Sequence, residues 1–189
     1  IGEAMVEFNQ QADGRYLLGC GGDTSNAIVA AARLGPRARY LTHVGEDVFG
    51  DELLSMWQRE GVQVGEATRV AGGETGIYFV NHSEAGHRFS YRRHRSAASK
   101  MSPKSLSLKY VGNARWLHCS GISFAISASA ADTVFEAISV AKANCTQRSY
   151  DLNFRPALCP VPRALTYAKA AIDGCDLFFP SIDEMEALT

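Results

Sequence analysis

The stretch WLHCSGISFAISASAADTVFEAISVAKANCTQRSYDLNF, residues 116–154, decides the fold class. Its apolar periodicity changes from that of a short strand to that of a long helix and back again. The residues that follow repeat this alternation. We therefore predict strands and helices in turn over 116–120, 129–144, 149–153, 162–172, 177–179 and 182–188. Strands that alternate with helices of this length favour a parallel α/β sheet with helices on both faces.

Upstream, the same alternation holds at first and is then interrupted. Two strands joined by the turn-like segment SEAG, residues 83–86, predict an antiparallel hairpin over 74–81 and 87–93. This hairpin does not fit a parallel sheet, so we expect it to lie over one edge. The other predicted elements are strands over 1–8, 16–20 and 39–44, and helices over 24–34, 48–60 and 103–110.

The composition is that of an ordinary globular protein. The 189 residues are 46% hydrophobic and 21% charged, with a formal net charge of -1, which excludes a disordered chain and argues against electrostatic capture of nucleic acid by the whole protein. No apolar run reaches the ~20 residues that a bilayer requires, and residues 1–8 lack a basic leader. The five cysteines are widely spaced and predict reduced core thiols in a cytoplasmic protein.

The segment GGDTSN, residues 21–26, opens the first predicted helix. Its glycines let the backbone approach a ligand, and free N–H groups at a helix start attract oxygen ligands. A plain glycine turn followed by an N-cap explains the same residues. Neither a Rossmann fingerprint nor a phosphate-binding P-loop pattern is present.

Residues 85–131 contain no aspartate or glutamate but eight lysines and arginines. Within them, Tyr91 and Arg93 share a strand face because they are two residues apart. Arginine forms bidentate bonds with carboxylate or phosphate, so a site for a small anion is one interpretation. A solvated basic edge that discourages aggregation and a local nucleic-acid patch are the others.

Two further polar groups follow predicted strands. Asp151, Asn153 and Arg155 would place three polar side chains on one face of a strand end, which predicts a functional site there. The acidic helix start at 183–186 either binds a metal or simply complements the helix dipole. No metal-ligand spacing of histidines and no G-x-S-x-G nucleophile motif occurs.

Taken in order, these segments resemble the ribokinase-like pfkB family of carbohydrate kinases. The matching segments are GGDTSN at 21–26, LG at 34–35, VGEDVFG at 44–50, GV at 61–62, DLNFR at 151–155, and SIDE at 181–184, where serine replaces the family's asparagine. The resemblance implies a three-layer α/β sandwich with a mostly parallel sheet. It also implies a small β-lid over the sugar, built from about 9–20 and 72–98.

Three segments are most similar to the branch of the family that phosphorylates 2-dehydro-3-deoxygluconate: GGDT at 21–24, TGIY at 75–78, and FSYRR at 89–93 followed by SA at 96–97. The resemblance implies ATP and Mg²⁺ as cofactors and places Asn153 and Glu184 near the phosphates and metal, Glu184 acting through water. The residues implied to bind the sugar acid are Gly22, Asp23, Asn26, Tyr78, Tyr91, Arg93 and Arg155.

The same resemblance implies that residues 1–189 form the N-terminal part of a kinase domain, with the C-terminal part missing. The family's catalytic aspartate, in its D-T-x-G-A-G-D signature, would then lie beyond Thr189. We therefore expect no catalytic base and no activity in this chain alone. The alternatives are a kinase of a neutral sugar, such as fructose or ribose, or of a nucleoside, and a non-catalytic sugar-acid-binding module. We expect no nucleic-acid or membrane partner, and a dimer formed through apolar lid faces at Ile77, Phe79 and Phe89.

Overall fold

The computed structural model describes residues 1–65, 67–84 and 86–188. The chain folds into two compact units. The N-terminal unit is Glu3–Lys100, and the C-terminal unit combines residues 1–2 with those from Met101 onward. The N-terminal unit contains β1 (Met5–Gln10), β2 (Tyr16–Gly21), α1 (Asp23–Arg33), β3 (Ala38–Arg39), β4 (Thr42–Gly45), α2 (Val48–Arg59), β5 (Val62–Gln63), β6 (Ala67–Val70), β7 (Ile77–Ser83), β8 (Gly86–Arg92) and a 3₁₀ turn (Ala98–Lys100). The C-terminal unit contains α3 (Lys109–Gly112), β9 (Trp116–Ser120), α4 (Gly121–Ala125), α5 (Ala128–Ala143), β10 (Gln147–Asp151), α6 (Val161–Ile172), β11 (Leu177–Phe179) and α7 (Ile182–Leu188).

A mixed four-stranded sheet in the order β2-β1-β7-β8 contains the predicted hairpin. β7 and β8 pair antiparallel, which confirms it; Ala85, in the predicted turn, lies outside the described residues. β1 pairs antiparallel with β2 and parallel with β7. The expected lid strands thus share one sheet with the first strand of the chain, which lies between β2 and β7.

Two details of the predicted elements are wrong. The strand expected over 39–44 is split into β3 and β4, which pair parallel with β5 and β6 in separate two-stranded sheets, so the described strands do not form one continuous parallel sheet. The helix expected over 103–110 begins only at Lys109. Ser105 instead donates a side-chain hydrogen bond to the Ser102 carbonyl and accepts one from the Ser102 N–H, an alternative to helix pairing.

The apolar face expected to form a dimer is also partly buried within the sheet. Phe79 stacks on Phe8 with ring centroids 5.2 Å apart, and Ile77 packs against the core of the N-terminal unit. Only Phe89 is half exposed. Dimer formation through this sheet stays a prediction, with Phe89 as its remaining support among the three residues.

The core of the N-terminal unit fixes the start of α1. Trp57 and Tyr40 are fully buried and meet edge to face, with ring centroids 4.9 Å apart. Their polar tips bond to the first turn of α1, since the Trp57 Nε1–H donates to Ser25 Oγ at 2.9 Å and Tyr40 Oη lies 2.8 Å from Thr24 Oγ1. Buried polar groups held in this way orient the helix start, and with it the two glycines that precede it.

In the C-terminal unit, β9, β10 and β11 form a parallel sheet in the order β11-β10-β9. The register pairs Asp151 with Ser120 and with Phe179, so the carboxyl ends of all three strands align. Helices α4 and α6 pack together through Phe124 and Tyr167, whose rings stack at 5.4 Å. The loops at 152–155 and 180–181 therefore leave this sheet at the same edge. Within the described residues, no helix is both long and apolar enough to span a bilayer.

Candidate functional site

Three of the predicted sugar-binding side chains lie side by side on the hairpin. Tyr78 and Tyr91 are register partners across β7 and β8, with ring centroids 5.7 Å apart. The Arg93 guanidinium carbon lies 5.9 Å from the centre of the Tyr91 ring, within the range of a cation–π contact. Phe89 extends this aromatic surface, with its ring centroid 6.3 Å from that of Tyr91. The N-terminal unit thus presents aromatic rings with an arginine at one end.

Both glycines of the GGDTSN segment are required by close packing, Gly21 against Tyr78 and Gly22 against the backbone of residues 3 and 4. The Tyr78 hydroxyl occupies the place where a Cβ on Gly21 would stand. Gly22 adopts a φ of 113°, and a Cβ there would lie 2.6 Å from the Glu3 carbonyl oxygen. Asp23 and Asn26 lie in the first turn of α1, with Asn26 exposed. The close approach that the glycines allow is therefore to other residues of the same chain. Their contact with a ligand stays a prediction.

Glu3 is a site residue that the sequence analysis missed. Its side chain is only 1% exposed and forms an ion pair with Arg93, which is itself 10% exposed. Ser96 Oγ donates to the second carboxylate oxygen at 2.5 Å. Burial raises the pKa of Glu3, and the nearby Arg93 opposes that rise. The only signal for Glu3 in the sequence is a carboxylate among the apolar residues at 1–8.

Glu7 was missed in the same way. The Tyr78 hydroxyl donates to its Oε2, and the Asn9 Nδ2–H donates to its Oε1 at 3.1 Å. Burial and the bonded Glu7 carboxylate both raise the pKa of Tyr78. Glu3, which is buried, and Glu7, which is partly buried, each bond a predicted sugar-binding residue.

Asp47, in the VGEDVFG motif, holds the loop before β7 against the start of α2. Its carboxylate accepts from the Gly50 N–H at 2.7 Å, and from the N–H and hydroxyl of Thr75 at 2.7 and 2.8 Å. Although burial opposes it, these bonds hold the pKa of Asp47 below its usual range. Thr75 Oγ1 in turn accepts from the Gly45 N–H. This motif positions the strand that carries Tyr78.

The DLNFR segment ends its strand earlier than predicted. β10 stops at Asp151, and Asn153 has a φ of 36°, in the left-handed region. The expectation that Asp151, Asn153 and Arg155 share one strand face is therefore wrong, because the chain turns out of the sheet between them. Asn153 and Arg155 instead line a cavity of about 10 Å³, no larger than one water molecule needs.

Glu184 is held by the protein on both carboxylate oxygens. Oε1 accepts from the Phe154 N–H at 2.8 Å and Oε2 from the Ser181 N–H at 2.9 Å. Ser181 Oγ accepts from the Glu184 N–H at 3.2 Å, which completes a reciprocal capping box that the S-x-x-E spacing could have predicted. Arg155 Nη1 lies 3.8 Å from Oε1. Among the described residues, no group of three or more His, Cys, Asp or Glu side chains could hold a metal ion.

The predicted sugar-binding residues are thus divided between the two units. The structure brings Tyr78, Tyr91 and Arg93 together within the N-terminal unit. Gly22, Asp23 and Asn26 lie in the same unit. Arg155 lies in the C-terminal unit with Glu184 as its neighbour. That the two arginines converge on one ligand stays a prediction.

Comparison with known proteins gives a consistent result. The chain is 32% identical to 2-dehydro-3-deoxygluconokinase of Thermoproteus tenax over 169 residues, which are 85% of this chain and 51% of that protein. It is 30% identical to probable fructokinase-3 of Arabidopsis thaliana over 198 residues, covering 100% of this chain and 57% of that protein. The chain therefore spans little more than half the length of these curated relatives.

A solved structure supports the same assignment. The structure of fructokinase with bound ATP from Xylella fastidiosa matches 99% of this chain and 58% of its own, with a TM-score of 0.89 and 27% identity. This match confirms the predicted ribokinase-like α/β fold. Residues 1–189 also match, over their whole length, the family described as pfkB family carbohydrate kinase. The chain belongs to the pfkB family of carbohydrate kinases.

Proposed function

We propose that the protein containing this chain transfers the γ-phosphoryl group of ATP to the terminal hydroxyl of 2-dehydro-3-deoxy-D-gluconate. The observation that carries the proposal is the surface formed by Tyr78, Tyr91 and Arg93, three residues that the resemblance assigns to that sugar acid. A relative with this named activity shares 32% of the aligned residues. The reaction depends mainly on positioning and on charge stabilisation.

In this proposal the arginines hold the carboxylate and the tyrosines orient the sugar. A guanidinium has five N–H donors, so Arg93 keeps donors for a ligand beyond the one that it gives to Glu3. The ion pair with Glu3 holds Arg93 in a fixed orientation before a ligand arrives, which reduces the entropy lost on binding. Arg155 is half exposed and supplies the second guanidinium.

ATP and Mg²⁺ enter the proposal with different support. ATP use is supported by the fructokinase that was solved with bound ATP. Backbone N–H groups hold both carboxylate oxygens of Glu184, and each oxygen retains a second lone pair. We propose that these lone pairs accept hydrogen bonds from metal-bound water.

A kinase of a neutral sugar is the second candidate, and one observation favours it. Arg93 already has a buried carboxylate partner in Glu3, so the charge of this guanidinium is balanced without an acidic ligand. The relative named probable fructokinase-3 is 30% identical to the chain.

A substrate panel distinguishes the candidates. The full-length product of the reading frame that encodes residues 1–189 is assayed with ATP and 2-dehydro-3-deoxy-D-gluconate, D-fructose, D-ribose or adenosine. We expect kcat/KM to be highest for the sugar acid. A higher kcat/KM for D-fructose would replace the first candidate with the second. Binding of the sugar acid without any phosphoryl transfer would favour the non-catalytic module.

A further inference from the structure

A chain of polar side chains runs along the four-stranded sheet and ends at Tyr78. The Tyr78 hydroxyl bonds to one oxygen of Glu7, and the Asn9 amide bonds to the other. The Asn9 Oδ1 lies 2.8 Å from His82 Nε2, and His82 Nδ1 lies 2.8 Å from His87 Nδ1. All five residues belong to β1, β7 and β8, so one rigid sheet holds the chain of contacts.

The chemistry of these groups fixes the direction of the bonds nearest Tyr78. A carboxylate only accepts hydrogen bonds, so Tyr78 and Asn9 must both donate to Glu7. The Asn9 Oδ1 can then only accept, which makes His82 Nε2 the donor. The amide of Asn9 is therefore held from both sides. It keeps its N–H toward Glu7, and the hydroxyl proton of Tyr78 is committed to the other Glu7 oxygen.

We propose that Glu7 is a positioning residue that fixes the hydrogen-bond polarity of Tyr78, so that the tyrosine oxygen accepts a bond from a sugar hydroxyl. The inference rests on the proposed function, and it names which part of the ligand Tyr78 contacts. A carboxylate has no proton to donate to the tyrosine oxygen. Recognition of the ligand is thereby divided, with its carboxylate bound by Arg93 and one of its hydroxyls by Tyr78.

The surroundings of the Tyr78 hydroxyl agree with this role. Gly21 has no Cβ, and the Tyr78 hydroxyl reaches Glu7 through the space where that atom would stand. Tyr91, whose ring faces that of Tyr78, is 45% exposed, so the edge of this ring pair is open to a ligand. The raised pKa of Tyr78 keeps the hydroxyl protonated at neutral pH. Its proton is therefore present and its direction is set by Glu7.

The test measures how well the protein distinguishes a sugar from analogues that each lack one hydroxyl. Full-length wild type, Glu7→Gln and Tyr78→Phe are compared by calorimetric Kd and by KM and kcat, with 2-dehydro-3-deoxy-D-gluconate and its monodeoxy analogues. Glu136→Gln, an exposed change on α5, is the matched control. In Glu7→Gln, Asn9 still donates to the amide oxygen, so the new amide N–H donates to Tyr78 and turns its proton outward.

We expect wild type and the control to bind the parent sugar about fivefold more tightly than one analogue, which corresponds to one neutral hydrogen bond. Both Glu7→Gln and Tyr78→Phe should lose that preference, mainly in KM. If Glu7→Gln retains the preference while Tyr78→Phe loses it, or if Tyr78→Phe retains it, the inference is wrong. If wild type selects D-fructose instead, the proposed substrate fails, and the same comparison with D-fructose and its deoxy analogues still decides the role of Glu7.

Discussion

The two arginines assigned to the sugar acid differ sharply in their surroundings. The Arg93 side chain is 10% exposed and its partner Glu3 is 1% exposed, whereas the side chains of Arg155 and Glu184 are 53% and 15% exposed. Arg155 also lies farther from its carboxylate, at 3.8 Å. One guanidinium is therefore part of the interior of its unit, and the other lies on a loop at the edge of a sheet.

Because of this difference, we expect the two arginines to contribute unequally to the stability of the fold and to ligand binding. A buried charge that loses its partner is left without water to solvate it, so the folded state depends on Arg93 whatever it binds. A half-exposed guanidinium near one carboxylate adds little to stability. Arg155 is thus expected to act almost entirely on the ligand, while Arg93 acts on both.

The largest expected effect is on stability in Arg93→Ala. Removing the guanidinium leaves Glu3 buried without its cation, which should lower the free energy of unfolding by about 3–5 kcal/mol at pH 7. Burial raises the folded-state pKa of Glu3 above its ordinary value of 4.5 and Arg93 opposes that rise, so Arg93→Ala should raise this pKa further. The folded variant should then take up a proton at a higher pH than folded wild type does, and the difference in stability should shrink as the pH falls from 7. Urea unfolding at several pH values measures it.

A double variant tests the cause. Glu3→Leu combined with Arg93→Met replaces the pair with apolar side chains of similar size, and it should recover most of the lost stability. If the double variant is as unstable as Arg93→Ala, the buried pair is not the reason. Arg155→Ala serves as the matched single variant and should change stability by less than about 1 kcal/mol.

The second prediction concerns catalysis by Arg155→Ala in the full-length protein. Losing its charge-assisted bonds to the sugar carboxylate should cost on the order of 3 kcal/mol in transition-state binding. That loss should appear in kcat/KM for the sugar acid and be much smaller for D-fructose. An unchanged kcat/KM for the acid would contradict the role of Arg155 and reopen the neutral-sugar alternative.

Most helices and strands could be predicted because each follows from local periodicity, whereas α4 was not predicted and the helix expected over 103–110 begins only at Lys109. The strands at 116–120 and 177–179 begin and end where predicted. The hairpin was predictable because its turn is local and the period changes there. The split of β3 from β4 was not, since it depends on which distant strands pair with each half. Local patterns do not encode that choice.

The site residues that belong to a recognisable sequence motif could be predicted. Those whose bonding partners are set by tertiary packing could not. Tyr78, Tyr91 and Arg93 were named from motifs and lie together. Glu3 and Glu7 were missed because a single carboxylate in a strand says nothing about what faces it. Their partners are about 70 to 90 residues away in sequence, beyond the reach of spacing arguments.

The third prediction concerns the contribution of another carboxylate of the N-terminal unit, Asp47, to stability and how that contribution depends on pH. Asp47→Ala removes the N-cap of α2 and its bonds to Thr75, which should cost about 2 kcal/mol at pH 7. The folded-state pKa of Asp47 is lowered, so its contribution is present above the ordinary value of 3.8 and is lost as the pH falls below it. The gap between wild type and variant should narrow in acid. Asp51→Ala, at an exposed position in the same helix, is the control, and its free energy of unfolding should hardly change. If Asp47→Ala loses no more stability than Asp51→Ala, the bonds from Asp47 to Thr75 contribute little.

The smallest expected effect is at Ser181, where the exposed loop of the C-terminal unit meets α7. Ser181→Ala removes one half of the capping box with Glu184, which should cost about 1 kcal/mol in stability. Ser181→Asn should restore it, because asparagine caps a helix as well as serine does. Thermal unfolding and kcat/KM are measured on all three full-length proteins. A fall in kcat/KM for Ser181→Ala that exceeds the effect on stability, with rescue by asparagine, would show that the cap also positions Glu184 for phosphoryl transfer. If Ser181→Ala changes neither quantity, the backbone N–H groups of residues 154 and 181, which the variant keeps, are enough to hold the Glu184 carboxylate. The exposed loop then tolerates the loss of a polar partner that the buried ion pair does not.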